Sequence, residues 1–347
     1  MSWIEKGWYN NSKLNYVLLP LTCVFWLLSL IRKRLFNLGV FNQVNNQLPV
    51  IVVGNISVGG TGKTPFVIYL VELLKQQGYK PAIVSRGYGA KVDKQLPFPR
   101  LINADMPTEL SGDEPKLLYL RTNCPVVISP SRVDAIDYVK NTTDANIVIS
   151  DDGLQHYKMA RDIEIVLLDA IRMFGNGWLL PVGPLRELPA RLNSVDLTIV
   201  NSGSFSSTPS AKQLANKQPD YTLSASAPYN LIEPNLTLPK ATQDTQVDVH
   251  LVSGIGNPER FLNTVESMGY KVNSTLWYPD HHHFTVSDFD QLEQDALVLM
   301  TEKDAVKCRA FARKNWFALP ISAQISASVE SEIIQLVTQL LPNAQSR

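Results

Sequence analysis

The sequence predicts an α/β fold with a mostly parallel sheet, and two observations predict it. From Pro49 onward short apolar runs alternate with longer mixed segments, and the first run ends in a glycine-rich turn. Strands that alternate with helices need crossover connections, which lay parallel strands side by side. The runs "VIVV" (50–53), "AIVS" (82–85), "PVVIS" (125–129), "NIVIS" (146–150), "IEIVLL" (163–168) and "LTIV" (197–200) are read as buried strands. Residues 65–77 and 132–141 are read as helices between them. The polar stretch 202–220 marks a linker or a long surface loop. A second, smaller α/β pattern follows: "VDVHLVSGIGNPERFLNTVESMGY" gives strand, glycine turn and helix, and "DALVLMTEKDAV" gives another strand and a loop. At 347 residues the chain can bury a sizeable core in two domains. The expected division is an N-terminal membrane-associated helix at 1–34, a domain with the glycine turn at 35–220 and a smaller α/β domain at 221–347.

Composition removes several function classes. Lys plus Arg number 32 and Asp plus Glu number 32, so no net charge draws the chain to nucleic acid. The three cysteines, Cys23, Cys124 and Cys308, lie far apart without metal-ligand spacing, which points to reduced thiols and a cytosolic compartment. The N-terminus is unusual. "VLLPLTCVFWLLSLI" (17–31) is nearly all apolar and "RKR" follows it. This run is shorter than the roughly 20 residues of a spanning helix, and basic residues stand where a secretory signal would be cleaved. Trp3, Trp8, Tyr9, Trp26 and Arg32 to Arg34 suit a membrane interface, with the basic flank facing the cytoplasm. The plainer reading is a helix buried against the rest of the protein.

The glycine turn lies in "VGNISVGGTGKTPF" (53–66). "GTGKT" between a buried strand and a helix has the context of a P-loop. Gly59, Gly60, Thr61 and Gly62 let backbone N–H groups converge on phosphate oxygens. Lys63 reaches the outer phosphates and Thr64 offers a hydroxyl to Mg²⁺. The helix N-terminus adds its positive dipole end. Ser57 replaces the first glycine of the usual pattern. "NIVISDDGLQH" ends a second strand in Asp151 and Asp152, acids suited to the metal side of such a site. No [NT]-K-x-D guanine reader is present, because "TEKD" (301–304) sets Lys and Asp side by side. A P-loop kinase with a lipid-like acceptor fits best. A membrane-bound P-loop ATPase acting as a binding or assembly factor is the alternative.

Further blocks sharpen this. "GNISVGGTGKTP", "SRGYG", "GDEP", "SPSRVDA", "DDGLQH", "LLPVGPLRE", "DHHHF" and "TEKDAVK" occur in order along most of the chain. In these blocks the sequence resembles the tetraacyldisaccharide 4′-kinase family of lipid A synthesis. The resemblance implies a membrane-associated kinase at the cytoplasmic face of the bacterial inner membrane. It implies two α/β lobes, ATP and Mg²⁺ as cofactors and a lipid disaccharide as substrate. Carried over by position, Lys63 and Thr64 are the P-loop lysine and threonine, and Asp113 is the catalytic base with Glu114 beside it. Asp151, Asp152 and Gln155 form the metal-side block, with Glu114 a further metal candidate and Gln155 on the nucleotide, and Arg132, Arg186 and Glu187 are active-site positions. A histidine of "DHHHF" pairs with the base; His281 is favoured and His282 is the second choice.

Phosphoryl transfer needs an in-line hydroxyl, neutralised γ-oxygens and an acceptor for the hydroxyl proton. A carboxylate held by an imidazole can be that acceptor. Each candidate has a plainer reading. Asp113 in "SGDEPKLLYL" fits a helix cap. Arg132 fits a surface helix, Arg186 with Glu187 a local ion pair, and "HHH" a surface cluster. Alternation of side chains along a strand keeps three consecutive histidines from one metal, so zinc is not expected. "TEKDAVK" fits a strand-to-helix turn capped by Thr301, and no mechanistic role follows from it.

Overall fold

The computed structural model describes residues 3–10, 13–202, 221–239 and 246–341. Apart from Ser202, the expected linker at 202–220 lies outside the described residues. The six strands read from the apolar runs are β1 (Val50–Gly54), β2 (Pro81–Ser85), β4 (Val126–Ile128), β5 (Ile147–Asp151), β6 (Ile163–Asp169) and β7 (Leu197–Asn201). The edge strand β3 (Arg100–Leu101) and β8 (Tyr221–Ala225) and β14 (Ile321–Ile325) complete a large sheet in the order β14-β8-β7-β6-β1-β5-β2-β4-β3. Within this sheet only the outermost pairings, β3 with β4 and β14 with β8, are antiparallel among the described strands. β1 and β6 are buried along their whole length, which is why they read as unbroken apolar runs.

The smaller sheet is β11-β10-β12-β13-β9, from β9 (Tyr229–Asn230), β10 (Asp248–Ser253), β11 (Lys271–Trp277), β12 (Val298–Thr301) and β13 (Trp316–Leu319). It is parallel except where β9 meets β13. The fold is therefore a P-loop NTPase-type α/β domain with a mostly parallel sheet, a second smaller α/β lobe and an apolar N-terminal helix.

Sheet membership cuts across the expected boundary at 220. β8 and β14 pair with each other on the large sheet. The last helix, α9 (Ala327–Leu340), buries Val329, Ile333 and Val337 against Leu73 and Leu74 of the large core. The apolar spacing of α9 carries no signal of which lobe it joins, so the sequence placed it with its neighbours. Only Pro320 separates β13 from β14, so the chain passes between lobes through one residue there.

At the N-terminus, α1 (Trp3–Tyr9) precedes a 3₁₀ turn and α2 (Leu19–Asn37). The helical stretch Lys13–Asn37 has 25 residues, long and apolar enough to cross a membrane by length and composition. It is longer than the apolar run alone because the helix continues through the basic triplet. Its amphipathicity is inverted. Leu14, Val17, Leu21, Val24, Leu28 and Ile31, spaced by three and four residues, are exposed. Its contacts to the rest of the protein include polar ones, Asn15 Nδ2 donating to the Val182 carbonyl (3.4 Å) and Thr22 Oγ1 accepting from the Val182 amide (3.2 Å), and ring contacts of Tyr16 with Trp178 and Phe36 with Tyr157. An apolar stripe of this length left exposed points to membrane association. Trp8 departs from the expected interfacial role. It is buried, and its indole N–H donates to the Pro181 carbonyl (3.0 Å), so it anchors α1 to the protein.

Candidate active site

The parallel register sets Val53 of β1 beside Asp151 of β5, so the glycine turn and the acid pair leave the sheet at the same edge. The turn opens into α3 (Lys63–Gln76). Gly62 is its N-cap, with φ +86°, and an added Cβ there would lie 2.6 Å from Asn201 Nδ2 and 2.8 Å from the Tyr221 hydroxyl. Only glycine fits that approach. Both neighbours hold the loop: Asn201 donates to the Thr61 carbonyl (3.0 Å) and Tyr221 to the Gly62 carbonyl (2.7 Å). The other side of the turn is stitched to the "LLPVGPLRE" segment. The Val58 amide donates to the Pro184 carbonyl (2.8 Å) and the Arg186 amide to the Ile56 carbonyl (2.7 Å).

That stitching explains three of the positions read from sequence. Arg186 reaches both carboxylate oxygens of Asp152 (3.1 and 2.9 Å), while Lys63 lies 3.5 Å from the same group. Burial opposes ionisation of Asp152, but the Lys63 and Arg186 charges outweigh it and hold its pKa below the usual carboxylate value. Gln155 donates to the Asn55 carbonyl (3.3 Å) and to Glu187 (2.9 Å), and Tyr157 donates to the other Glu187 oxygen (2.9 Å). Gln155 and Glu187 thus brace the start of the loop. Arg186 and Glu187 are not a mutual ion pair: Arg186 bonds Asp152, and Glu187 faces Arg191 at 3.4 Å.

Arg132 is not a surface residue. It begins α6 (Arg132–Thr142), is buried, and donates to the Ser129 (3.1 Å) and Asp151 (3.0 Å) carbonyls. Burial pushes its pKa down to about 10, against the pull of Asp151 and Asp152. Asp151 accepts from the Ser85 hydroxyl (3.2 Å). Burial first, then the charges of Glu114 and Asp152, push its pKa up to about 7 despite Lys63 and Arg132.

These residues fit Mg²⁺ and a nucleotide. Among the described residues, no group of three or more His, Cys, Asp or Glu is arranged to hold a metal. Mg²⁺ bound with a nucleotide needs only one or two carboxylates, since phosphate oxygens and water complete its shell. A buried carboxylate crowded by two other acids is stabilised by a cation. Thr61 Oγ1 and both amide atoms of Asn55 are buried without a hydrogen-bond partner in the turn itself. Thr61 Oγ1 and Asn55 Nδ2 are donors suited to ligand oxygens, whereas Asn55 Oδ1 can only accept.

The second half of the site starts at α5 (Asp113–Thr122). Its N-cap is Gly112, φ +79°, where a Cβ would meet the Tyr88 carbonyl at 2.7 Å. Asp113 is the first helical residue, and its carboxylate points across to the small lobe. Asp113 Oδ2 lies 3.2 Å from His281 Nδ1 and 3.7 Å from Lys307 Nζ. Burial raises the pKa of Asp113, but the His281 hydrogen bond and the Lys307 and Lys303 charges prevail and hold it below the usual value. His281 takes a positive φ of +61°, a conformation tolerated by few side chains, and its ring packs 5.1 Å from that of Tyr88. His282 turns away: it stacks on Tyr278 (4.4 Å) and lies 3.2 Å from Asp288. The structure therefore brings His281, and not His282, to Asp113.

The role missed in the sequence belongs to "TEKDAVK". It forms α8 (Glu302–Cys308), capped by Thr301, whose side chain accepts from the Asp304 amide. Beyond that cap, α8 aims Lys303 and Lys307 at the acids of α5. Lys303 Nζ lies 3.1 Å from Glu114, 3.3 Å from Asp280 and 3.4 Å from His281 Nε2. The i, i+4 spacing of the two lysines was the available signal, since it puts both on one helix face. A further cross-lobe ion pair joins Asp169 to Arg260 (3.6 Å) of α7 (Pro258–Ser267).

A phosphate-binding turn, an acid pair at the adjacent strand end and a carboxylate–imidazole contact between the lobes together define a P-loop phosphotransferase. A family profile described as LpxK: Tetraacyldisaccharide-1-P 4'-kinase matches residues 14–338, and the chain belongs to that family. It is 46% identical over 338 residues to the tetraacyldisaccharide 4'-kinase of Pseudoalteromonas translucida, covering 97% of each chain. It is 43% identical over 318 residues to the enzyme of that name from Haemophilus influenzae, covering 92% of this chain and 91% of that one. The crystal structure of LpxK from Aquifex aeolicus in complex with ATP is similar with a TM-score of 0.75 at 26% identity, covering 93% of this chain and 99% of that one.

Proposed function

We propose that the chain transfers the γ-phosphate of ATP to the 4′-hydroxyl of a tetraacyldisaccharide 1-phosphate, a lipid A precursor, in the cleft between the two lobes. The observation that carries this reading is the Asp113–His281 contact, made across the lobes and beside the acid block of the P-loop. Bound ATP supplies the phosphoryl group, and Mg²⁺ neutralises its oxygens. Thr64 and the Asp151–Asp152 pair hold the metal side. Gly59, Gly60, Thr61, Gly62 and Lys63 hold the phosphates, Lys63 and Arg186 balancing the charge around them. Asp113, kept ionised by its neighbours, accepts the proton of the 4′-hydroxyl as the oxygen attacks. His281 orients that carboxylate, and Arg132 fixes the backbone on which Asp151 stands.

The acceptor is a lipid, and the exposed stripe of α2 supports delivery at a membrane surface. In this reading α2 lies on the cytoplasmic face of the inner membrane as a peripheral anchor, with Arg32, Lys33 and Arg34 against anionic headgroups. Leu21→Gln with Leu28→Gln leaves the melting temperature unchanged, because both side chains already face water. It lowers cosedimentation with anionic vesicles by about 10-fold or more. Unchanged vesicle binding refutes the anchor.

Radiolabelled ATP incubated with a disaccharide lipid acceptor tests the chemistry. Label in the lipid is the expected result. Free phosphate with no labelled lipid favours the alternative ATPase.

A further inference from the structure

We infer that Lys303 is a positioning residue of the reaction: it ties the lobes together at the site and holds His281 against Asp113. This rests on the reading of Asp113 as the proton acceptor.

Three contacts meet at one ammonium. Glu114 belongs to α5 on the large sheet, whereas Asp280 and His281 belong to the loop after β11 on the small one. Lys303 Nζ reaches all three within 3.4 Å. Its pKa is raised: burial disfavours the charge, but Glu114 and Asp280 outweigh it. His281 sits at positive φ, where its backbone alone holds it poorly. One ring nitrogen faces Asp113 and the other faces Lys303, so the imidazole is gripped at both ends.

The helix that carries Lys303 is itself firmly mounted. Asp304 is fully buried and accepts from the Thr301 hydroxyl (2.7 Å), the Ser253 hydroxyl (3.0 Å) and the Gly254 amide (3.1 Å). Lys307, its side chain 2% exposed, lies 2.7 Å from Asp304 and donates to the His282 carbonyl (3.1 Å). α8 is thus fixed both to β10 and to the histidine loop, and Lys303 extends from it to the other lobe.

A side chain that only braced the fold would affect stability; one that sets the Asp113–His281 geometry affects turnover through His281. The full-length enzyme is assayed with ATP and lipid acceptor as Lys303→Met, Lys303→Arg and Asp113→Asn, and as Lys303→Met in a His281→Ala background. Misplacement of a reacting group by about 1 Å costs about 100-fold in rate, so Lys303→Met is expected to lower kcat by about that factor. KM for ATP changes less than about threefold, and Lys303→Arg restores most of the rate. With His281 already replaced, losing Lys303 costs less than about threefold more, because both act on one carboxylate. Lys303→Gln is read the same way should the Met variant fail to fold.

Equal losses in both backgrounds, or near-normal kcat for a folded Lys303→Met, overturn the inference. An inactive Asp113→Asn beside a normal Lys303→Met overturns this role alone. An active Asp113→Asn overturns the base assignment beneath it.

Discussion

α3 and α5 begin alike and end in different chemistry. Each has a glycine N-cap at positive φ, Gly62 and Gly112, with no side-chain cap. Each places its chemical group on the first helical residue, Lys63 in one and Asp113 in the other. The surroundings differ. The groups around Lys63 that meet phosphate come from one short stretch, which Asn201, Tyr221 and the 184–186 segment hold in place. Asp113 is completed by His281, 168 residues away, and by two lysines from α8. The first half is local geometry that a short pattern specifies; the second is tertiary convergence and depends on the lobes being together.

The largest expected effect lies in the local half. Lys63→Ala removes a cation aimed at phosphate oxygens. Loss of one preorganised electrostatic donor costs about 10³-fold, roughly 4 kcal/mol, in kcat/KM. Circular dichroism should show an intact fold, since Lys63 is partly exposed and pairs only at 3.5 Å with Asp152. A folded Lys63→Ala with normal kcat/KM breaks the P-loop assignment.

The convergent half answers differently. Asp113→Asn should lower kcat by about 10²-fold or more while ATP affinity stays within about threefold. The amide cannot take the hydroxyl proton, and the phosphate contacts are elsewhere. The helix start is not at stake: Gly112 is the cap and Asp113 bonds His281 instead. The melting temperature of Asp113→Asn should therefore stay close to wild type, Lys307 keeping Asp304 as its partner. Weakened ATP binding as large as the kcat loss would erase the distinction between the halves.

The same difference governs what the sequence revealed. β1, β5 and β6 were legible because strands buried on both faces leave unbroken apolar runs, and "GTGKT" because its function is executed by its own backbone. Asp113, Glu114 and His281 were legible only through the order of blocks shared with a family. From the residues alone Asp113 read as a cap, and the structure gives that place to Gly112. Lys303 and Lys307 had no reading, since a lysine on a short helix is normally solvated and its partners lie far off in sequence. For Arg132 the family order gave an active-site position and the residues alone left a surface helix open; it is buried, and donates to the Ser129 and Asp151 carbonyls. Trp8 read as interfacial because aromatic residues flank an apolar run, yet a carbonyl from residue 181 captured its indole. β14 and α9 returned to the large sheet against their sequence position. Long-range pairing overrides local pattern in each case.

The smallest expected effect uses pH to separate the halves. His156 stands beside the phosphate side, just after the acid pair. Burial first, then the charges of Arg132, Arg86, Arg32 and Arg161, push its pKa down to about 4. In the unfolded chain a histidine titrates near ~6.5. Between about 4 and 6.5 the unfolded state binds the extra proton, so stability rises with pH across that window and is lost as pH falls through it. Asp113 behaves otherwise. Its pKa is depressed, so its contribution is present above the ordinary carboxylate value of about 3.8 and fades only below it. Acidification from pH 7.5 to 5.5 should therefore spare the Asp113 pair; it stabilises through Asp151, which with a pKa of about 7 gains its proton in the folded state, and destabilises through His156. Allowing for partial exposure of the ring, the loss is about 1 kcal/mol, or about 2 °C in melting temperature. The His156 share is the difference between wild type and His156→Gln, which cannot gain the proton and keeps only the Asp151 slope, and Asp113→Asn should leave the wild-type profile unchanged. Scanning calorimetry of the three proteins across pH 5.5–7.5 is the measurement. A His156→Gln profile that matches wild type, beside an altered one in Asp113→Asn, reverses the assignment of acid sensitivity between the two halves.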